Sequence, residues 1–206
     1  LIPLYTRSFT VAEFGILGLL EVSAAVVISV FSFSLYSGFF RWYWDKSTEN
    51  KKESLFFTLT LFQLLIVVVT YIAALPLLKT ISNLIFDTPQ YSNLLQLMLI
   101  SSLIQLLMVM PNTLLRLQEK PWLFTMANVL QLIFSLLVTV YFVSYQHSGL
   151  EGIYFGQIAG SIAFAAVLIR YTVKNMVFRL ETQLLKEILI YCFPIFLSGT
   201  ALVIFN

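Results

Sequence analysis

The chain has 206 residues, of which 59% are hydrophobic and 11% are charged. Soluble domains carry roughly 25% charged residues, so these side chains are too few to cover a soluble protein. Soluble enzymes, disordered chains and nucleic-acid binders are thereby excluded, and the net charge of +2 indicates no charged partner. One cysteine and one histidine exclude a disulfide framework and a zinc site built from those residues. The composition predicts an integral membrane protein.

Six apolar stretches are long enough, or nearly so, to cross the roughly 30 Å hydrocarbon core of a bilayer as helices. In chain order they are residues 14–40, 55–78, 91–115, 121–145, 152–169 and 188–205. They are too long and too uniformly apolar for the alternating strands of a membrane barrel. The predicted fold class is an all-α, polytopic transmembrane helical bundle. Residues 1–6 look like the end of a preceding span, so we expect the chain to be the middle of a longer protein.

The basic residues are distributed unequally between the two alternating sets of loops. Ten of the twelve lie in the set formed by residues 41–54, 116–120 and 170–187. The other set holds only Arg7 and Lys79. Because short loops rich in Lys and Arg remain in the cytoplasm, we expect the first set to be cytoplasmic.

Glu21 is the one carboxylate inside a predicted span. At 100° per residue, its helix face also carries Gly18, Ala25, Ser32 and Tyr36. We expect this small and polar face to meet protein or a cavity, since a charged side chain in lipid costs about 3 kcal/mol or more. Two interpretations are open. Glu21 is either a proton or cargo site, or a buried, protonated acid hydrogen-bonded to a neighbouring helix.

Polar residues also recur on one face of other spans. The clearest stripe, in residues 121–145, consists of Thr125, Asn128, Gln131, Ser135 and Thr139. Gln63 and Gln105 belong to similar stripes on two preceding spans. Such stripes either hydrogen-bond helices to one another or together line a wet cavity. The amides Gln63, Gln105, Asn128 and Gln131 are therefore candidate substrate contacts.

Three glycines in the next span, Gly152, Gly156 and Gly160, follow at four-residue spacing. Small residues at this spacing allow two helices to approach closely, so the pattern predicts helix packing. A phosphate-binding loop would need Lys and Ser or Thr after a strand.

Five short motifs, in order along the chain, are similar to motifs of one transporter family. They are similar to PxxxRxxxxxE[FY]G at residues 3–15, GxxR[FY][YF] at 38–43, LxRxxx[KR][PF] at 114–121, G[LI]xG[IV]xx[GA] at 149–156, and L[LK]x[LF]xx[FY]xxP[LI] within 184–195. Trp42 stands at the first aromatic position of the second motif and Ile188 at the [LF] position of the last. On these motifs the chain resembles the polysaccharide transporters of the multidrug/oligosaccharidyl-lipid/polysaccharide exporter superfamily, which are flippases of lipid-linked sugar repeat units.

The resemblance implies a fold of two helical bundles in the bacterial inner membrane. Residues 1–185 would form the first, six-helix bundle with a truncated first helix, and residues 186–206 would begin the second. The implied function is translocation of lipid-linked oligosaccharide, the repeat unit of O-antigen, capsule or exopolysaccharide. The implied partners are membrane lipid, this cargo and the polysaccharide polymerase machinery.

Arg7, Arg41 and Arg116 match arginines of the family motifs. The resemblance implies a pyrophosphate in the cargo, and a guanidinium suits phosphate through its fork of donors. Arg41 and Arg116 also lie at predicted cytoplasmic helix ends, where the preference for positive loops and snorkelling explains them equally well. Arg7 lies on the predicted outer side, and Glu21 matches no motif.

Two alternative functions are a multidrug exporter and a glycan polymerase or ligase. A cation-coupled multidrug exporter of the same superfamily would use an intramembrane acid, which Glu21 could supply. A membrane-embedded glycan polymerase or ligase would need a large outer loop, and the predicted outer loops are too short to hold a catalytic site. Cys192 and His147 form no evident dyad. We expect no enzymatic activity and no cofactor apart from a coupling ion, Na⁺ or H⁺.

Overall fold

The computed structural model describes residues 9–146 and 148–205. These residues contain eight α-helices, α1 to α8, and no strand. The helices are α1 Val11–Phe31, α2 Leu35–Tyr43, α3 Lys52–Ala74, α4 Leu78–Phe86, α5 Ser92–Leu117, α6 Pro121–Val140, α7 Glu151–Lys174 and α8 Thr182–Phe205. Six helical segments of the described chain are long and apolar enough to cross a membrane. The predicted number of spans and the all-α class are confirmed, whereas Arg7 and His147 lie outside the described residues.

The central helix of the bundle is α5. It packs against α1, α2, α3, α4, α6 and α7 and is more buried than the other candidate spans. Its side chains Leu103, Leu106 and Leu115 are almost fully buried. Apolar side chains on the other helices point outward, as Leu132 and Leu137 do on α6. This arrangement suits a bundle whose exterior meets lipid and whose interior is packed around one helix.

The span predicted as one helix over residues 14–40 is broken. The first part, α1, ends at Phe31, and α2 begins at Leu35. Phe33 and Ser34 between them have φ angles of 46° and 50°. A residue other than glycine in this left-handed region carries strain of about 1–3 kcal/mol. The prediction of a continuous helix was wrong because the surrounding structure imposes a break that the local sequence does not encode.

Several helices extend beyond the predicted spans. After Ala74 the chain continues through a short 3₁₀ turn, Leu75–Leu77, into α4, although Pro76 lacks an N–H donor. The predicted loop over residues 79–90 is thus helical up to Phe86. The predicted loop 170–187 is also shorter, since α7 runs to Lys174 and α8 begins at Thr182. Polar residues at helix ends account for both errors, because a helix continues into the interface after its apolar run has ended.

The glycine stripe of α7 packs closely on α6, as its spacing predicted. A Cβ atom added at Gly160 would lie 2.6 Å from the carbonyl oxygen of Gln131 and 2.9 Å from Ser135 Cβ. A Cβ atom at Gly156 would lie 2.7 Å from the carbonyl oxygen of Ser135. The polar stripe of α6 therefore faces the glycines of α7, at a distance that only a residue without a side chain allows.

The last helix, α8, packs against α1, α2 and α3. Its tightest approach is to α2 at Gly38, where an added Cβ atom would lie 2.5 Å from Ile188 Cγ2 and 2.8 Å from Cys192 Sγ. The boundary between two bundles at residues 185 and 186 remains a prediction. The close approach of α8 to Gly38 places α8 directly beside the break between α1 and α2.

Candidate functional site

A cavity of about 470 Å³ lies beside the break between α1 and α2 and is here called the break cavity. Its polar lining residues are Ser29, Ser32, Ser34, Tyr36, Asn112, Thr113 and Arg116. Four of these belong to the broken segment and the other three to the last turns of α5. Hydroxyl groups, an amide and a guanidinium thus meet within a bundle that is otherwise largely apolar.

Hydrogen bonds from side chains on two other helices and on the broken segment itself stabilise the break. Gln63 on α3 donates from Nε2 to the carbonyl oxygen of Phe31 at 3.1 Å. Ser32 Oγ donates to the carbonyl oxygen of Ser29 at 3.0 Å. The thiol of Cys192 on α8 donates to the carbonyl oxygen of Ser34 at 3.4 Å. A helix broken within a membrane needs such partners, because lipid offers none to the freed carbonyl groups.

Gln63 was predicted as a substrate contact, but the structure places it behind the break rather than in the cavity lining. Its side chain is 1% exposed. Its Oε1 atom has no hydrogen-bond partner among the described residues. Gln63 therefore acts on the cavity through the backbone of α1.

Arg116 lies in the last turn of α5 and lines the break cavity. Its Cζ atom stands 4.9 Å from the centroid of the Phe124 ring, in a cation–π contact. Neither of the two ion pairs found in the described part of the chain involves Arg116. The guanidinium is exposed and has no carboxylate partner there, so it is available to an anionic group in the cavity.

Asn128 on α6 supports the cavity wall from behind. Its Nδ2 atom donates to the carbonyl oxygen of Phe124 at 2.7 Å and lies 3.4 Å from Asn112 Oδ1. Asn112 lines the cavity and Asn128 does not. The predicted candidate Asn128 thus orients Asn112, a residue to which the sequence assigned no separate role.

Arg41 lies near the end of α2, outside the break cavity. Its Cζ atom is 4.3 Å from the centroid of the Tyr191 ring and 5.0 Å from that of Trp42. After α2, the backbone N–H and hydroxyl of Ser47 donate to Asp45, and together with nearby Arg41 they hold the pKa of Asp45 below its ordinary value. Exposed charges beside half-buried aromatic rings are typical of a side chain anchored at the membrane surface.

Gln105 and Gln131 take part in contacts between helices. Gln105 Nε2 lies 3.4 Å from Gln157 Oε1 and joins α5 to α7. Gln131 packs against Gly160 of α7. Neither residue lines the break cavity.

Glu21 is exposed on α1, and so are Gly18 and Ala25 on the same face. No described residue forms a hydrogen bond with its carboxyl group, which lies close enough to Tyr154 on α7 to interact with that residue electrostatically. The interpretation of Glu21 as a buried acid bonded to a neighbouring helix does not hold for the described residues. The proton or cargo role remains a prediction.

The comparison with known families agrees with this architecture. A family model described as a polysaccharide biosynthesis protein matches residues 4–206. No curated protein and no solved structure matches the chain significantly. The match includes all six candidate spans and the whole lining of the break cavity. The chain therefore belongs to the polysaccharide biosynthesis protein family, as a multi-pass membrane protein with a role in polysaccharide biosynthesis or export.

Proposed function

We propose that the chain forms part of a flippase that moves lipid-linked oligosaccharide across the bacterial inner membrane. The observation that carries this proposal is the break cavity, whose lining combines hydroxyl groups and an amide with one guanidinium that has no carboxylate partner among the described residues. The family match supports the same class of cargo, since it connects the chain to polysaccharide biosynthesis.

The lining of the break cavity suits the chemistry of such a cargo. Serine, tyrosine and asparagine side chains can exchange hydrogen bonds with sugar hydroxyl groups. Arg116 can bind a phosphate oxygen pair with its fork of donors. The lipid tail needs no such partner and remains in the membrane. The cavity therefore offers each polar part of the cargo a matching group.

The position of the cavity supports loading from the cytoplasm. Arg116 lies one residue before the end of α5, and the loop after α5 belongs to the set that carries ten of the twelve basic residues. We propose that these loops are cytoplasmic, which places the cavity at the cytoplasmic end of the bundle. A cargo assembled in the cytoplasm would meet the cavity first.

We propose transport without covalent chemistry. The polar groups of the cavity lining are hydroxyl groups, an amide and a guanidinium, and none of them is an effective acid or base near neutral pH. Such groups bind a sugar phosphate but do not activate it.

The proposal can be tested in a bacterial strain that lacks its own repeat-unit flippase. The full-length protein should restore surface polysaccharide and lower the amount of lipid-linked repeat unit retained in the inner membrane. Exposed Glu21 favours the multidrug exporter as the second candidate function. Cation-dependent drug resistance without any change in surface polysaccharide would support that function and contradict ours.

A further inference from the structure

Neither glycine nor proline explains the break between α1 and α2, since no such residue lies between Gly18 and Gly38. Locally, Ser32 Oγ donates to the carbonyl oxygen of Ser29 and accepts from the N–H group of Ser34 at 3.4 Å. Phe33 and Ser34 nevertheless have φ angles of 46° and 50°. A bulky aromatic residue is rare in this region. The break is therefore stabilised by Gln63 and Cys192 on other helices together with the local hydrogen bonds of Ser32.

The hydrogen bonds at the break are substitutes for those of a continuous helix. In such a helix the carbonyl oxygens of Ser29 and Phe31 would accept from the N–H groups of Phe33 and Leu35. In the structure Ser32 Oγ donates to the carbonyl oxygen of Ser29, and Gln63 Nε2 donates to that of Phe31. The N–H group of Leu35 donates instead to the carbonyl oxygen of Ser32 at 3.0 Å. Each carbonyl group thus has a partner in both arrangements of the chain.

Gln63, on another helix, is the hydrogen-bond partner that the carbonyl oxygen of Phe31 would exchange for the N–H group of Leu35 if the segment straightened. Its Nε2 atom satisfies the carbonyl oxygen of Phe31, while its Oε1 atom is buried without a partner among residues 9–146 and 148–205. A buried acceptor without a partner destabilises the arrangement that contains it. The broken arrangement therefore combines backbone strain and an unsatisfied amide, and a straight arrangement would relieve the strain.

We propose that the segment from α1 to α2 is a two-state element and that Gln63 is the positioning residue that stabilises its broken state. Straightening would move Ser29, Ser32, Ser34 and Tyr36 together, because all four lie on the segment. The change from the broken to the straight state would therefore rearrange one wall of the break cavity. The inference rests on the proposed function only in taking the break cavity as the cargo site.

The test measures the length of the segment in the full-length protein without cargo. Spin labels are attached to cysteines at Val11 and Trp44, which are 92% and 63% exposed, in a Cys192→Ser background whose hydroxyl keeps a donor for Ser34. A straight helix over these 33 positions is about 50 Å long, and we expect a break between α1 and α2 to bring its ends closer together. Gln63→Leu should shift the distances toward about 50 Å. Ser34→Gly should shift them to shorter values, because glycine accepts a positive φ without strain.

Two further variants make the result specific to the break. Gln96→Leu also removes an amide that contacts another helix, at Tyr71 Oη, but lies away from the break and should leave the distances unchanged. Ser34→Gly added to Gln63→Leu should return the distances toward the shorter values and recover translocation lost in Gln63→Leu. A residue with a merely structural role would show no such rescue.

The outcomes separate this inference from the proposed function. Distances that do not change in Gln63→Leu, in protein that translocates lipid-linked oligosaccharide, would overturn the two-state element alone. Distances that shift as expected, in protein that translocates no such cargo, would support the two-state element and contradict the flippase function.

Discussion

Arg116 is the residue on which the chemistry of the break cavity depends most. Its guanidinium is the one cationic group in the cavity lining, and the described part of the chain gives it no carboxylate partner. Arg116→Ala should reduce export of surface polysaccharide at least tenfold with normal protein levels in the membrane. Arg116→Lys should give an intermediate value, because it keeps the charge and loses the fork. The measurement is surface polysaccharide normalised to membrane protein.

Arg170 provides a matched control for Arg116. It is exposed on α7, belongs to the same set of basic loops and lies outside the break cavity. Arg170→Ala should leave export nearly unchanged. Equal export by Arg116→Ala and Arg170→Ala would assign Arg116 to membrane anchoring alone.

Glu21 separates a role in transport from a role in structure. Its carboxyl group is exposed on α1 and makes no hydrogen bond to a described residue, so Glu21→Gln should not disturb folding or insertion. If the carboxyl group binds a proton or cargo, the amide should abolish transport at normal protein levels. Export close to that of the unmodified protein would remove Glu21 from the mechanism.

The sequence predicts some of these residues and not others for physical reasons. Arg116 stood out because a charged group at a helix end follows a recognisable motif. Ser29 did not, because serine in a helix commonly bonds to its own backbone and then carries no functional signal. Gln63 was singled out as a polar residue in a span, but its contact with Phe31 depends on the packing of α3 on the break.

Among the elements, the α6–α7 pair is the one that the sequence describes best. Four-residue spacing of glycine has one strong physical consequence, close helix approach, and the structure shows that approach. The break between α1 and α2 was not predictable, because its cause lies in α3 and α8. The continuation of the chain as helix beyond residue 78, in α4, was missed because Lys79 and the polar residues after it interrupt the apolar run.

Enlarging a glycine of α7 should separate α6 from α7. Gly160→Val would place methyl groups where the carbonyl oxygen of Gln131 already lies within 2.6 Å of an added Cβ atom. Overpacking of this kind costs about 1–3 kcal/mol, so the thermal midpoint in detergent should fall by several degrees. Gly15→Ala is the control, since nothing lies within 4 Å of an added Cβ atom there. An unchanged midpoint for Gly160→Val would show that the two helices are not closely packed.

The unequal distribution of basic residues between the two sets of loops predicts one orientation of the whole protein in the membrane. Single cysteines at Lys46 and Lys174, both exposed, should react with an impermeant thiol reagent only from the cytoplasmic side. A cysteine at Asp87, also exposed, should react only from the outside. The background is Cys192→Ser. Labelling of Lys46→Cys in intact cells would show that the orientation is the opposite one and that the break cavity lies at the outer end of the bundle.

Composition and periodicity were enough to predict the all-α membrane fold and its six spans, because the bilayer admits few architectures. The break cavity was beyond such reasoning, since it is formed by α1, α2, α5 and α8 together. Its polar groups are spread over the chain from Ser29 to Arg116. Only the packing of the helices brings them to one place.

The central claim is that the protein moves lipid-linked oligosaccharide across a membrane. Its most direct test uses the full-length protein in lipid vesicles that contain a fluorescent lipid-linked oligosaccharide, with an impermeant reagent that destroys fluorescence on the outer leaflet. We expect the protein to expose nearly all of the fluorescent lipid to the reagent, and Arg116→Ala to slow this exposure at least tenfold. Vesicles with the correctly folded protein in which half of the fluorescence stays protected, as in protein-free vesicles, would contradict the claim.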